Sequence, residues 1–272
     1  RLSSAASDVY KRQLLTLSQK ELRRFLRIWI QTLVPPAITT ALYFVIFGEV
    51  IGNNIDRNVS EGLKYIHFMI PGLIMLAVIT AAYSNVVSSF YGVKFQRAIE
   101  ELLISPMPNW AILLGYVIGG VVRAILVGII VFIVSIIFEP SLQIHSYSLT
   151  ILVLILTSIM FSLLGFINAI YADSFDDIAI VPTFVLTPLI YLGGVFYSIK
   201  MLPPLWQSIS QVNPMLYVVN TFREGMLGIS DVSITLSLLM MTAFIVIFFI
   251  ICLYLLNKVL EYVNENSSSW TK

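Results

Sequence analysis

Six runs of apolar side chains, each long enough to cross a bilayer and nearly free of charge, constrain this chain more than any other feature. The run from 111 to 138 holds one charged residue, Arg123. Hydrophobic residues make up 58% of the 272 and charged residues 11%. Soluble sequences are roughly a quarter charged, and a chain of this size cannot hide so much apolar surface from water. The expectation is an all-α integral membrane protein, because a barrel would show short alternating segments instead. Spans are expected near residues 33–51, 66–91, 111–138, 149–170, 178–195 and 234–257.

A charged, helix-prone insert lies between the second and third spans. Arg97, Glu100 and Glu101 fall within about one helical turn, beside Ile99, Leu102, Leu103 and Ile104. Ser105-Pro106 and Pro108 then stop the helix. Residues 97–105 therefore read as a short amphipathic helix at the membrane face, placed to be pushed by something in the cytosol. Residues 14–31 read as a basic amphipathic elbow helix, with Lys20, Arg23, Arg24 and Arg27 among Leu22, Phe25, Leu26, Ile28 and Trp29. The bland alternative is a basic flank that merely orients the first span. Residues 1–13 lack an initiating Met, differ in character from the rest of the chain and are expected to be a foreign or disordered leader.

Charge placement sets the expected orientation. One side carries Lys20, Arg23, Arg24, Arg27, Lys94, Arg97, Lys258 and Lys272; the other carries Arg57, Lys64, Lys200 and Arg223. The richer side is cytoplasmic by the positive-inside rule, so both termini and the insert face the cytosol, with a short polar tail at 259–272.

Four further features stand out. Pro35-Pro36 is placed in the first turn of the first span, where the missing N–H groups matter least. Arg123 needs a partner or a purpose, because an intramembrane guanidinium costs at least a few kcal/mol. An ion pair is the commoner explanation and a role in substrate passage the other. Asp173, Asp176 and Asp177 invite a metal reading, but no His or Cys accompanies them, and a solvated loop or helix N-cap is favoured. Residues 196–228 are apolar yet broken by Pro203-Pro204 and Asn213-Pro214, which fits a helical hairpin dipping in from the outer side. Arg223 and Glu224 would then lie near the outer surface. Tyr43, Phe44, Phe47, Tyr83, Phe90 and Tyr91 are available to a lumen, with lipid-facing bulk as their plainer role.

Chemistry is sparse. There is no GxxxxGK[ST], HExxH, CxxC or GxSxG, and no cluster of acids at the span centres. No catalytic residue, metal or cofactor is expected, and no nucleic-acid partner. Energy comes from outside the chain, or nothing is pumped.

Residues 98–120 (AIEELLISPMPNWAILLGYVIGG) resemble the cytoplasmic loop of ABC-2 type permeases, the membrane subunits of ATP-binding-cassette exporters. Residues 188–228 (PLIYLGGVFYSIKMLPPLWQSISQVNPMLYVVNTFREGMLG) resemble the same family's fifth-span end and re-entrant helices, and PGLI at 71–74 is similar too. The likeness covers nearly everything after about Gln19. It implies two permease chains clamped on two separate ATPase subunits that bind ATP and Mg, in a bacterial inner membrane. It also implies that Arg97, Glu100, Glu101, Leu102, Leu103, Ser105 and Pro106 couple to the ATPase, with Asp173, Asp176 and Asp177 as a second cytoplasmic contact. The hairpin at Pro203, Pro204, Asn213 and Pro214 would be an outer gate. A rival class is an energy-independent facilitator or scaffold, separated from an exporter by whether a P-loop ATPase co-purifies.

Overall fold

The computed structural model describes residues 2–51, 65–96, 98–99 and 107–269. Among these the chain is helical with no strands, and six helices are long and apolar enough to cross a membrane. α1 (Leu2–Arg27) leads into α2 (Trp29–Tyr43), which widens into a π-helical stretch at Phe44–Ile51. α3 (Tyr65–Phe95), α4 (Asn109–Phe138) and α5 (Tyr147–Tyr171) follow. The fifth span is α6 (Phe175–Ile180), a π-helical stretch at Val181–Leu186 and α7 (Thr187–Leu192). A 3-10 turn at Ile199–Met201 precedes α8 (Pro204–Val212) and α9 (Pro214–Leu227), and α10 (Ile234–Ser269) closes the chain.

Several boundaries differ from the sequence reading. The elbow ends at Arg27 rather than near Gln31, because Ile28 leaves helical geometry (φ −113°, ψ 34°) and the helix resumes at once. The first span therefore starts at Trp29, and Pro35 and Pro36 lie inside it rather than in its first turn. Each proline lacks the N–H that would reach back four residues. α1 runs from Leu2 to Arg27 and so spans the boundary at 13 between the expected leader and the elbow. The expected polar tail is likewise a continuation of α10 as far as Ser269.

α3 is the centre of the bundle. In its most apolar stretch 67% of residues are buried, against 50% for α5 and only 17%, 11% and 17% for the first, fifth and sixth spans. Lipid tails are as apolar as leucine, so helices in a bilayer approach each other through small residues. At Gly165 of α5, an added Cβ would sit 2.6 Å from the carbonyl oxygen of Tyr83 in α3. At Gly119 of α4, an added Cβ would meet Glu21 Cβ of α1 at 2.8 Å. The glycine face of α4 thus serves three neighbours: Gly115 and Gly119 receive α1, while Gly120 and Gly128 receive Val86 and Val78 of α3 together with Ser162 and Leu154 of α5.

Prolines interrupt the fifth span. Pro182 sits in the π-helical stretch, and Thr187 Oγ1 donates to the Pro182 carbonyl at 2.8 Å. His67, near the start of α3, lies 3.2 Å from Ser141 Oγ and 3.3 Å from Glu139 Oε1.

Replacing Gly165 with Ala forces a methyl against backbone and is expected to cost about 1–3 kcal/mol. Gly92 lies in α3 with open space around it, so Gly92→Ala is expected to gain about 0.5–1 kcal/mol from reduced chain entropy. Thermal unfolding of the two variants in detergent should move in opposite directions.

Candidate functional site

Three groups of polar residues stand out in this apolar bundle, one at each end and one in the middle. At the end bearing the 94–108 insert, Lys94 closes α3 and reaches across to α5. Its Nζ donates to the carbonyls of Ile170 at 2.8 Å and Ala172 at 2.7 Å, and lies 3.1 Å from Asp173 Oδ1. A cation at the last carbonyls of a helix meets the negative end of its dipole and satisfies orphan acceptors. Tyr91 adds a hydrogen bond from its hydroxyl to the Asp173 carbonyl at 3.2 Å. The rings of Tyr91 and Phe95 pack on Phe175, with centroids 4.9 and 5.0 Å apart. The start of the insert and the acidic loop are therefore one rigid unit.

Within that loop the three aspartates have different roles. Asp177 forms a capping box with Ser174: Asp177 N donates to Ser174 Oγ at 3.1 Å, and Ser174 N donates to Asp177 Oδ2 at 2.9 Å. Asp173 pairs with Lys94. Asp176 is exposed in the first turn of α6 and makes no hydrogen bond or ion pair among the described residues. No group of three His, Cys, Asp or Glu able to hold a metal occurs among the described residues. Of the insert itself, Arg97, Glu100, Glu101, Leu102, Leu103, Ser105 and Pro106 lie outside the described residues.

The elbow is locked to the same end by charge. Glu21, only 1% exposed, accepts from Ser89 Oγ at 2.5 Å and from Arg24 Nε at 3.3 Å. Arg24 Nη2 donates to the Asn85 carbonyl at 2.9 Å and to its side-chain oxygen at 3.0 Å. Leu17, Ser18, Glu21 and Phe25 form the buried face of α1, at the spacing of one helical stripe. Sequence reasoning passed over Glu21. Its signal was a single acid on the apolar stripe of a basic helix.

In the middle of the bundle, two cavities of about 370 and 380 Å3 share Tyr43, Leu76, Thr80 and Ser84. Together they form a groove bordered by the first, second and fifth spans. Arg123 of α4 lines the second cavity. It makes no ion pair among the described residues, and its buried Nε has no hydrogen-bond partner. The ion pair weighed for it is therefore not formed there. Of the six aromatic residues considered for a lumen, Tyr43 borders both cavities and Tyr83 the first. Phe44, Phe90 and Tyr91 are core, and Phe47 packs on Phe196.

At the opposite end, α8 and α9 make the helical pair expected between 196 and 228. The prolines start these helices rather than break them: Pro204 and Pro214 each occupy a first helical position. Pro203 is the N-cap of α8, and Asn213 is the N-cap of α9. Asn213 accepts from Met215 N at 2.9 Å and donates to the Leu189 carbonyl at 2.6 Å, tying the turn to the fifth span.

Arg223 corrects the sequence reading, which set it at the outer surface. It is 1% exposed, its Nη2 donates to the Gly194 carbonyl at 2.6 Å, and its guanidinium lies 3.9 Å above the Phe68 ring. Residues 215–223 of α9 are all buried, so Arg223 is enclosed because the whole helix is inserted among its neighbours and not through a one-sided period. Asp231, also missed, fastens the base of the pair. Its carboxylate accepts from Ser198 Oγ at 2.8 Å and Ile199 N at 3.2 Å, while its own N–H donates to Asn220 at 3.1 Å.

The model of the ABC-2 type transporter family matches residues 12–227, from within α1 to the last residue of α9. The inner membrane transport permease YadH of Escherichia coli K12 is 53% identical over 239 residues, 88% of this chain and 92% of YadH. Nodulation protein J of Rhizobium leguminosarum bv. viciae is 25% identical over 222 residues, 80% of this chain and 83% of that protein. The same-named protein of Neorhizobium galegae is 26% identical over 214 residues, 78% and 81% of the two chains. A six-span helical bundle with this match along most of its length belongs to the ABC-2 type transporter family.

Proposed function

We propose that the chain is the permease subunit of an ABC exporter of the bacterial inner membrane, forming a translocation path with a second copy and drawing its energy from a separate pair of ATPase subunits. ATP and Mg bind to those partners, and this chain has no ATPase site of its own. The observation that carries the reading is the Lys94 latch on a chain of this family. It joins the end of α3 and the start of the coupling insert to the end of α5 and the acidic loop. A push on residues 97–105 would then move the central helix and the fifth span together. Arg97, Glu100 and Glu101 supply charged contacts to the ATPase, Leu102 and Leu103 anchor the helix, and Ser105-Pro106 ends it. Asp176 is the aspartate left outward for a second contact, since Asp173 and Asp177 are engaged internally.

Orientation rests on charge. With Arg223 buried, the outer side keeps Arg57, Lys64 and Lys200 against eight cations on the side of the termini and insert, which sharpens the inside-positive bias. The α8–α9 pair then lies at the outer face, held by Asn213 and Asp231, as a gate over the path. The exposed first and fifth spans face the second copy.

Reversing charge in Glu100→Lys with Glu101→Lys is expected to leave the chain in the membrane and to abolish its effect on the turnover of the co-purified ATPase. Unchanged stimulation would reject the coupling role, and the absence of any P-loop ATPase would favour a facilitator or scaffold. Lys94→Met removes a charge-assisted capping contact, expected to cost about 1.5–3 kcal/mol. ATPase binding should persist while stimulation falls several-fold, measured on the reconstituted complex.

A further inference from the structure

The helix pair α1–α2 and α4 run side by side in the same direction, since Leu17 meets Gly115, Glu21 meets Gly119 and Phe44 meets Phe138. The last of these contacts, with ring centroids 5.5 Å apart, fixes the register at the far end of the first span. Counting back equally, from 44 to 29 and from 138 to 123, covers about 22 Å of each helix at ~1.5 Å per residue. Arg123 is thus level with Trp29, where the basic elbow ends and the first span begins. Tryptophan beside arginine is the usual marking of the boundary between headgroups and hydrocarbon.

At that level Arg123 lacks a partner. It has no ion pair among the described residues, and its buried Nε has no acceptor. The charge that acts on it most is Arg24, another cation, already engaged with Glu21 and Asn85. Neighbouring hydroxyls are taken up by their own helices. Thr32 Oγ1 donates to the carbonyls of Ile28 and Trp29 at 3.2 Å, and Thr80 Oγ1 to that of Leu76 at 2.8 Å. The fork of an arginine matches the oxygens of a phosphate.

The cavity that Arg123 lines, about 380 Å3, is a cleft between α2 and α3. Gln31 and Ser84 lie at its Arg123 end, Tyr43 and Leu73 at the other. From Gln31 to Tyr43 it follows α2 for about 18 Å at ~1.5 Å per residue. The hydrocarbon of one leaflet is about 15 Å deep. Pro35 and Thr39 line the cleft and are exposed, so it opens sideways along its length. A phospholipid with its phosphate on Arg123 would lie at its ordinary depth, in its own leaflet.

We propose that this cleft seats a resident anionic phospholipid of the leaflet on the elbow side, its phosphate on Arg123 and one acyl chain along α2. The lipid is a fixed part of the bundle that fills the gap between the first two spans. Naming that leaflet the cytoplasmic one rests on the orientation proposed above; the site itself does not.

The full chain is reconstituted in nanodiscs of equal parts phosphatidylglycerol and phosphatidylcholine with matched chains, then extracted in dodecyl maltoside. Native mass spectrometry reads the lipid that stays bound. Phosphatidylglycerol should be retained over phosphatidylcholine by about tenfold, the equivalent of ~1.4 kcal/mol. Arg123→Gln should erase that preference and Arg123→Lys keep part of it. Ala77→Leu, which narrows the cleft with the charge intact, should release the lipid, and it carries the test if Arg123→Gln does not fold. Lys20→Gln with Arg23→Gln, exposed on the elbow, should leave retention unchanged. Equal retention of the two lipids, or full retention in both Arg123→Gln and Ala77→Leu, would overturn the proposal. So would loss in the elbow variant alone, which would assign the lipid to the basic surface. Glycerol phosphate held as well as the lipid would reduce the site to an anion site, and a lipid-free dimer would give the cleft to the second copy; either overturns it. Exchange of the lipid on ATP turnover would make it cargo and overturn its residence. If the lipid is held while no P-loop ATPase co-purifies, the site stands and the permease reading falls.

Discussion

Backbone-to-backbone closeness at α3 is the contact on which the bundle depends. In a bilayer no gain comes from hiding apolar side chains from lipid, so helices hold together by dispersion over tight contacts and by hydrogen bonds. Glycines at 119, 120, 128 and 165 let α4 and α5 approach α3 and α1 at distances that a single methyl would forbid. Around this packed centre the first, fifth and sixth spans are attached on one side only. The bundle is therefore densely packed in the middle and little buried along three of its spans.

Buried charge is handled in three distinct ways. Glu21 and Arg24 neutralise each other within a net of hydrogen bonds to α3, which fixes the elbow without leaving net charge in lipid. Arg223 has no carboxylate in contact among the described residues, but a carbonyl and an aromatic face surround it, so it fastens α9 to α3 and to the Gly193-Gly194 turn. Arg123 has neither arrangement, and it opens on a cavity. Neither cation is fully satisfied: Nε and Nη1 of Arg223 and Nε of Arg123 are buried without a hydrogen-bond partner.

The end of α3 and the acidic loop after α5 are joined by side-chain contacts. Lys94 caps α5, Tyr91 holds the Asp173 backbone, and Phe175 wedges between Tyr91 and Phe95. The π-helical stretch at Val181–Leu186 lies just beyond, where Pro182 weakens the ladder and permits a bend.

The sequence alone determined the class and the number of spans, because the requirement to satisfy every backbone group inside lipid leaves only long apolar helices. What it left open was pairing between distant segments. Glu21 with Ser89, Lys94 with the end of α5 and Asp231 with Ser198 are contacts across dozens of residues that no local pattern encodes. Likewise the kink at Ile28, which moved the prolines inside the first span, comes from docking α1 on Gly115 and Gly119 of α4. Only tertiary packing could decide which charges find partners, because that depends on where helices far apart in the chain come to lie, and Arg123 is the one it left facing open space.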